Sequence, residues 1–189
     1  DGTGNPWFKG DVGITDGRIV KIGNLGAEES ARVIDAKGLV VAPGFIDMHS
    51  HSDLSPLINP RTESKVRQGI TTEVVGNCGV SAAPLNDFLK DEFMKTTPIL
   101  EEAGLKLDWF TMSEYLCRLD KEKIAINIVS LVGNGNVRAM VMNYDARKPT
   151  KNELEEMRKV LAKALEEGAF GLSSGLIYPP SCYADTSEL

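Results

Sequence analysis

The stretch Phe45-Ile46-Asp47-Met48-His49-Ser50-His51 places two histidines at the end of a short, mostly apolar run. They are the only histidines among the 189 residues. Side chains alternate along a strand, so residues two apart point to the same face. Active sites of α/β barrels lie at the C-terminal ends of their strands. The pattern predicts that His49 and His51 converge as half of a divalent-metal site, with Asp47 and Asp53 close by. The alternative is a pair of surface histidines at a strand end.

A cysteine follows the next apolar segment along the chain. Thr71-Thr72-Glu73-Val74-Val75 is β-branched, ends at Gly76, and is followed by Cys78. If this second strand neighbours the first in a barrel, Cys78 can reach the same metal. A thiolate is a strong zinc ligand, and a bound metal holds it deprotonated. A buried, inert cysteine is the alternative, and the spacing alone does not decide between the two.

The rest of the chain after residue 44 alternates between strand and helix patterns, which indicates an α/β fold with parallel strands. The helices are predicted over residues 60–69 and 151–167. Thr150 and Glu153 have capping-box spacing. The buried face of the second helix is predicted to comprise Leu154, Met157, Leu161, Ala164 and Leu165. Further strands are predicted over residues 124–132, buried on both faces, and over 169–172. Roughly four βα units fit here, whereas a closed (β/α)₈ barrel needs about 250 residues.

Residues 1–43 have a different pattern, typical of small antiparallel β structure. Residues 11–14 and 19–22 flank Asp16-Gly17, which predicts a hairpin. Residues 33–35 and 39–41 predict a second short pair around Lys37-Gly38.

Composition excludes several functional classes. The chain carries 21 Lys and Arg against 27 Asp and Glu, a formal net charge of -6, without the basic cluster that nucleic-acid binding needs. It contains no signal peptide or apolar 18-residue run, so we expect a cytoplasmic protein that does not span a membrane. Three cysteines give no disulfide framework, and we expect Cys117, on a helix core, and Cys182 to be structural. The absence of an initiating Met indicates a fragment of a longer protein.

Two short motifs resemble catalytic loops but are assigned other roles. Gly171-Leu172-Ser173-Ser174-Gly175 matches the nucleophile elbow of serine hydrolases, which must open a helix. The prolines at 179 and 180 argue against a helix there, and no third histidine could act as a base. Gly133-Asn134-Gly135-Asn136 lacks phosphate-loop spacing and predicts a tight turn. Tyr178 is either a hydrogen-bond donor to substrate or a packing aromatic with a solvated hydroxyl.

Taken together, three longer stretches carry a family resemblance. The segment from Val40 to His51 resembles the opening signature of the amidohydrolase superfamily. Gln68-Gly69-Ile70-Thr71-Thr72-Glu73-Val74-Val75-Gly76-Asn77-Cys78-Gly79 and Gly168-Ala169-Phe170-Gly171-Leu172-Ser173-Ser174-Gly175-Leu176-Ile177-Tyr178-Pro179-Pro180 resemble its N-acyl-D-amino-acid deacylase (D-aminoacylase) branch. The similarity extends along nearly the whole chain. One departure is the loop with Asn134 and Asn136, where relatives commonly have His and Thr.

The resemblance implies the N-terminal part of a metal-dependent-hydrolase TIM barrel, with residues 44–189 as its first βα units. It implies that residues 1–43 form part of a small, composite β-sandwich domain. One or two zinc ions are implied, with His49, His51 and Cys78 as ligands and Tyr178 in contact with substrate. The substrate implied is a small-molecule N-acyl-D-amino acid, attacked by a zinc-activated hydroxide. The catalytic aspartate and the later zinc histidines are expected beyond Leu189, so no catalytic residue is assigned within the chain.

Two rival functions are retained. Within the enzyme class, the rival is a cyclic-amide hydrolase of the hydantoinase or dihydroorotase kind, and Cys78 with the Tyr178 motif argues against it. From another class, the rival is a non-catalytic homologue that serves as an assembly scaffold. We expect the isolated 189-residue piece to be inactive, and its unpaired strand edges favour homo-oligomerisation or partial unfolding.

Overall fold

The computed structural model describes residues 2–26 and 28–189 and divides the chain into two compact units, residues 1–43 and 44–189. In the first unit the strands are β1 (Asp11–Thr15) and β2 (Arg18–Gly23). In the second unit the elements follow the order β3 (Phe45–Asp47), α1 (Ser55–Ile58), α2 (Glu63–Val66), β4 (Ile70–Val75), α3 (Asp87–Thr96), α4 (Ile99–Glu102), α5 (Met112–Glu122), β5 (Asn127–Ser130), β6 (Val132–Gly133), α6 (Asn134–Met142), α7 (Lys151–Glu166), β7 (Leu172–Ser173) and a 3₁₀ turn at Ser181–Tyr183.

The first unit contains the predicted hairpin. Strands β1 and β2 pair antiparallel, and the register shifts between Gly13 and Ile14. Asp16 and Gly17 have φ values of 50° and 72°, as a two-residue type I′ turn requires. The hairpin prediction is therefore confirmed.

The second predicted strand pair, residues 33–35 and 39–41, is wrong. The turn between them does form, because the Leu39 amide donates to the Ala36 carbonyl at 2.9 Å. No ladder joins the flanking residues, although the structure describes all of them. Val33 and Val40 are 81% and 86% exposed, so pairing here would bury no apolar face to offset its entropic cost.

Parallel strands form the framework of the second unit. The order in the larger sheet is β3-β4-β5, with Asp47 opposite Glu73 and Val75 opposite Ser130. A separate parallel pair joins β6 to β7. Because parallel strands end at one edge, the loops that follow β3 and β4 gather on the same side.

The long apolar run over residues 124–132 forms two strands rather than the single predicted one. Leu131 donates its amide to Val75 of β4 at 2.9 Å, and Val132 donates to Gly171, just before β7, at 2.8 Å. The run therefore changes partners at this point. Asn127 is exposed and Ile128 half-buried, so the expectation of burial on both faces is also wrong.

The helices agree with the sequence patterns only in part. Helix α7 is confirmed, with both halves of the Thr150–Glu153 capping box present, but Leu165 is 40% exposed and lies off its buried face. The helix predicted over residues 60–69 is reduced to one turn, α2, because Thr62 has a left-handed φ of 41°. The strand predicted over residues 169–172 is shorter and begins later, because β7 comprises only Leu172 and Ser173.

Helix α5 supplies much of the core. Its buried residues Met112, Tyr115 and Leu119 pack near Trp109, whose indole N–H donates to the Ala82 carbonyl at 2.8 Å. Cys117 lies on the opposite, exposed side of the helix, so its predicted core position is wrong. Among the described residues, no helix has the length and apolar character needed to cross a membrane.

Candidate metal centre

His49, His51 and Cys78 lie together at the strand ends. Each offers one donor atom, and these three atoms lie within 4.8 Å of one another. The Nε2 atom of His49 is 3.2 Å from Sγ of Cys78, and the two imidazole rings meet edge to face with centroids 5.4 Å apart. Since β3 ends at Asp47, the histidines converge from the loop after the strand rather than by alternation along it.

The loop that carries Cys78 has a tightly specified backbone. Gly76, Cys78 and Gly79 have φ values of 77°, 54° and 79°. The side-chain amide of Asn77 donates to the carbonyls of Val74 at 2.8 Å and Ser50 at 3.2 Å. Because Ser50 stands between the two histidines, Asn77 ties the cysteine loop directly to the histidine loop.

Neighbouring segments pack against the cysteine loop through glycines. A Cβ atom at Gly175 would overlap the Cys78 carbonyl and lie 2.8 Å from Cys78 Cα. A Cβ at Gly133 would likewise overlap the backbone of Gly79. Only a residue without a side chain allows these backbones to approach so closely.

The Gly171–Gly175 motif also holds this loop. Ser173 Oγ accepts from the Gly79 amide at 3.1 Å and donates to the Gly76 carbonyl at 2.5 Å. Residues 176–180 form turns instead of a helix, which agrees with the rejection of a nucleophile elbow. Ser173 thus braces the segment that presents Cys78.

Residues 133–136 do not form the predicted tight turn. They begin helix α6, whose N-cap is Gly133. The side chain of Asn136 accepts from the Ser81 amide and donates to the carbonyls of Ser81 and Pro84, at 2.9, 2.8 and 3.2 Å. This buried amide fixes residues 81–84, which continue from the cysteine loop. Of the two asparagines in residues 133–136, Asn136 therefore has a structural role.

A charged network that the sequence reasoning did not identify lies behind the histidine loop. Glu73 of β4 is fully buried, and Lys65 Nζ lies 2.5 Å from its Oε1 and 2.8 Å from Asp47 Oδ2. The hydroxyls of Ser50 and Ser52 donate to the two carboxylate oxygens of Glu73 at 3.1 and 2.5 Å. Hydrogen bonds to both carboxylates raise the pKa of Lys65, and the bond from Lys65 lowers the pKa of Asp47. The sequence feature that could have indicated this network is Glu73, a charged residue inside the β-branched segment 71–75.

Asp53, close to His51, is half-buried. Burial raises the pKa of its carboxyl to about 6, against the opposing effect of backbone hydrogen bonds, and Oδ1 has no hydrogen-bond partner. His51 and Asp53 line one side of a cavity of about 250 Å³ whose other walls include Val80, Phe93 and Leu100.

Tyr178 lies in the turn after β7 with 61% of its surface exposed. Its carbonyl accepts from the Cys182 amide at 2.9 Å. The structure therefore brings together His49, His51 and Cys78, whereas Tyr178 stands on the surface with its side chain free to face solvent.

The donor set suits a zinc ion. Two imidazole nitrogens and a thiol sulfur are the ligands that Zn²⁺ takes in proteins, and three protein ligands leave a position for water or substrate. The separations among the donor atoms match a cluster around one small cation, since Zn–N and Zn–S bonds are about 2.0–2.3 Å long.

Comparison with known proteins identifies the family of this chain. The family model described as "Amidohydrolase family" matches residues 32–184, which include all three donors. The chain belongs to the amidohydrolase family. The α/β architecture of this amidohydrolase chain agrees with solved structures of relatives.

Three relatives show how far the similarity extends. An N-acyl-D-glutamate deacylase of Alcaligenes xylosoxydans xylosoxydans is 42% identical over all 189 residues, which correspond to 38% of that protein. The crystal structure of N-acyl-D-glutamate deacylase from Bordetella bronchiseptica, complexed with zinc and a phosphonate inhibitor, matches the whole chain with a TM-score of 0.87 and 43% identity over 39% of its length. A D-aminoacylase structure described by its binuclear metal centre has the same TM-score, 38% identity and the same coverage. The amidohydrolase chain thus spans less than two-fifths of the length of these relatives.

Proposed function

We propose that this chain is the N-terminal, metal-binding part of a zinc-dependent hydrolase that removes the acyl group from N-acyl-D-amino acids. The observation that carries the proposal is the convergence of His49, His51 and Cys78, with their donor atoms within 4.8 Å. The relatives named above are deacylases of D-amino-acid derivatives, and one of them was solved with zinc. Cyclic-amide hydrolysis and a scaffolding role have no comparable support.

In this proposal His49, His51 and Cys78 are ligands to one or two zinc ions. Zinc bound there would supply a Lewis acid for the amide carbonyl and would activate water as the nucleophile. The loop geometry holds the thiol and the imidazoles at the same edge of the sheet. Tyr178 is assigned to substrate contact, and the general base is an aspartate that residues 1–189 do not supply.

The architecture we propose is an amidohydrolase barrel with an accessory β-sandwich. Residues 44–189 would form the first βα units of the TIM barrel, supported by the parallel order β3-β4-β5 and the helices between these strands. Residues 1–43 would contribute to the sandwich, supported by the β1–β2 hairpin. Small-molecule N-acyl-D-amino acids are the proposed partners, together with further copies of the same protein in a homo-oligomer.

The test is turnover by the complete protein, purified with zinc. We expect release of D-glutamate from N-acetyl-D-glutamate or of another D-amino acid from its N-acetyl derivative, measured as free amine. The matched controls are the L-enantiomers and hydantoin, which we expect to be poor substrates. Hydrolysis of hydantoin without hydrolysis of any N-acetyl-D-amino acid would contradict the proposal, and stoichiometric zinc without turnover on either class would favour the scaffold.

A further inference from the structure

The segment that carries both histidines is anchored to a buried carboxylate. Ser50, between the histidines, donates to Glu73 Oε1 at 3.1 Å, and Ser52, next to His51, donates to Oε2 at 2.5 Å. The two hydroxyls also lie 2.7 Å apart. One carboxylate therefore holds the residues on either side of His51.

Glu73 can do this only because its charge is compensated. Its side chain is fully buried, and an unpaired buried carboxylate would be costly. Lys65 of α2 supplies the counter-charge at 2.5 Å and also reaches Asp47 at 2.8 Å. Asp47 in turn accepts from the His49 amide at 3.2 Å, so the same ammonium group is linked to the backbone at the first histidine.

The network and the donors occupy opposite sides of one short loop. Ser50 is buried and its side chain is directed to Glu73, whereas His49 and His51 are exposed on the side where Cys78 lies. Ser50 also donates its amide to the Val74 carbonyl at 3.1 Å, which fixes the loop to β4 beside Glu73. The hydroxyl–carboxylate bonds therefore decide how the loop is rotated and which way both imidazoles point.

We propose that Glu73 and Lys65 are a positioning pair that orients the His49–His51 loop for metal binding through Ser50 and Ser52. This inference rests on the proposed function, because it presumes that His49, His51 and Cys78 hold zinc. Outer groups that orient metal ligands are worth about 10–100-fold in metal affinity. The pair touches no donor atom, so its effect is on geometry.

The test removes the hydrogen bonds from the two serines to Glu73 and leaves the Glu73–Lys65 ion pair in place. The complete protein is prepared with Ser50→Ala and Ser52→Ala together, and zinc affinity is measured by chelator competition. We expect affinity to fall about 10–100-fold, and we expect the visible spectrum of the Co²⁺-substituted protein to change, because that spectrum reports coordination geometry. The metal-free variant should keep the circular dichroism spectrum of the parent. Ser64→Ala, an exposed serine on α2, is the matched control and should change none of these.

Two further variants keep the test decisive. If the double variant does not fold, Ser52→Ala alone, at a half-buried position, repeats the measurements. Lys65→Met with Glu73→Gln removes both charges at once and should give the same loss of affinity and the same altered Co²⁺ spectrum. Zinc affinity and a Co²⁺ spectrum equal to the parent's in the serine variants would overturn the positioning role while leaving the deacylase proposal intact. A parent protein that binds no zinc would overturn both.

Discussion

Cys78 occupies a backbone conformation that costs a side-chain-bearing residue free energy. Its φ of 54° lies in the left-handed region, where a non-glycine residue pays about 1–3 kcal/mol. The surrounding loops impose this conformation, since Ser173 and Asn77 bind the backbone on both sides of it. The result is a thiol held beside His49 rather than buried as an inert core residue.

At this scale the decisive variant is Cys78→Ala. Loss of one of three donors should lower zinc affinity by more than the roughly 10–100-fold typical of outer groups, and elemental analysis of the purified protein should show the metal lost. Cys117→Ala, at an exposed cysteine on α5, is the control and should retain it. Metal content unchanged by Cys78→Ala would exclude the thiol as a ligand and favour another branch of the amidohydrolases.

Loops, more than strands, determine the shape of the candidate site. The segments after β4 and β7 meet the end of β6 through the backbones of Gly79, Gly175 and Gly133. At Gly133 and Gly175 such contacts leave little space for relaxation, because the nearest atoms that a Cβ would meet are main-chain atoms. A change in one loop should therefore reach Cys78 directly.

Gly175→Ala tests this packing. A methyl group there would overlap the Cys78 carbonyl, and overpacking of this kind costs about 1–3 kcal/mol. We expect a lower urea midpoint together with weaker zinc binding. Gly171→Ala is the matched control, since its nearest neighbour would be Leu131 Cδ2 at an ordinary 3.6 Å, and it should change stability by less than about 0.5 kcal/mol. Equal effects of the two substitutions would argue against a specific contact with the cysteine loop.

Helix α7 allows a prediction of pH dependence. Arg147 and the Thr150 groups hydrogen-bond the Glu153 carboxylate and hold its pKa well below the ordinary 4.5. The native state therefore favours the ionised form, and the stabilisation is complete above the ordinary pKa and is lost as pH falls below it. Glu153→Gln should lower the melting temperature at neutral pH, and the difference from the parent should shrink in acid. A constant difference would show that the carboxylate charge is not responsible. Glu155→Gln, whose carboxylate is exposed on the same helix, serves as the control.

Local sequence signals predicted some of the secondary-structure elements, whereas the bounds of others depend on tertiary contacts. The Asp16-Gly17 turn and the Thr150–Glu153 capping box act within a few residues, so the hairpin and α7 could be predicted. The break at Leu131 depends on β7, some forty positions away in sequence, and no local pattern marks it. The same holds for the site: spacing indicates the two histidines, and the family resemblance adds Cys78, whereas the roles of Ser173 and Lys65 arise only when distant segments pack together.

The whole molecule exposes apolar surface along its strands. Phe45 and Ile46 of β3 are 61% and 58% exposed, and Leu172 of β7 is 41% exposed. Parallel sheets normally have both faces covered. We expect a chain with this surface to associate with further protein, either the remainder of the proposed barrel or another copy.

We expect the isolated 189-residue chain to show no deacylation, because only the His49, His51 and Cys78 part of the proposed site is present. Size-exclusion chromatography with light scattering should show that it self-associates through the exposed strands. The complete protein, assayed in parallel on N-acetyl-D-amino acids, is the positive control. Turnover by the isolated chain, abolished by Cys78→Ala, would show that the proposed base outside residues 1–189 is not required.

His49 and Cys78 are only 29 positions apart in the chain, and His51 lies between them. A ribosome therefore releases all three donors, together with the Glu73 that anchors their loop, well before it reaches Leu189. If they bind zinc as proposed, metal capture by this segment does not have to wait for synthesis to finish. Under the proposed function, the supply of zinc during translation would then be one factor in how much zinc-loaded protein a cell obtains.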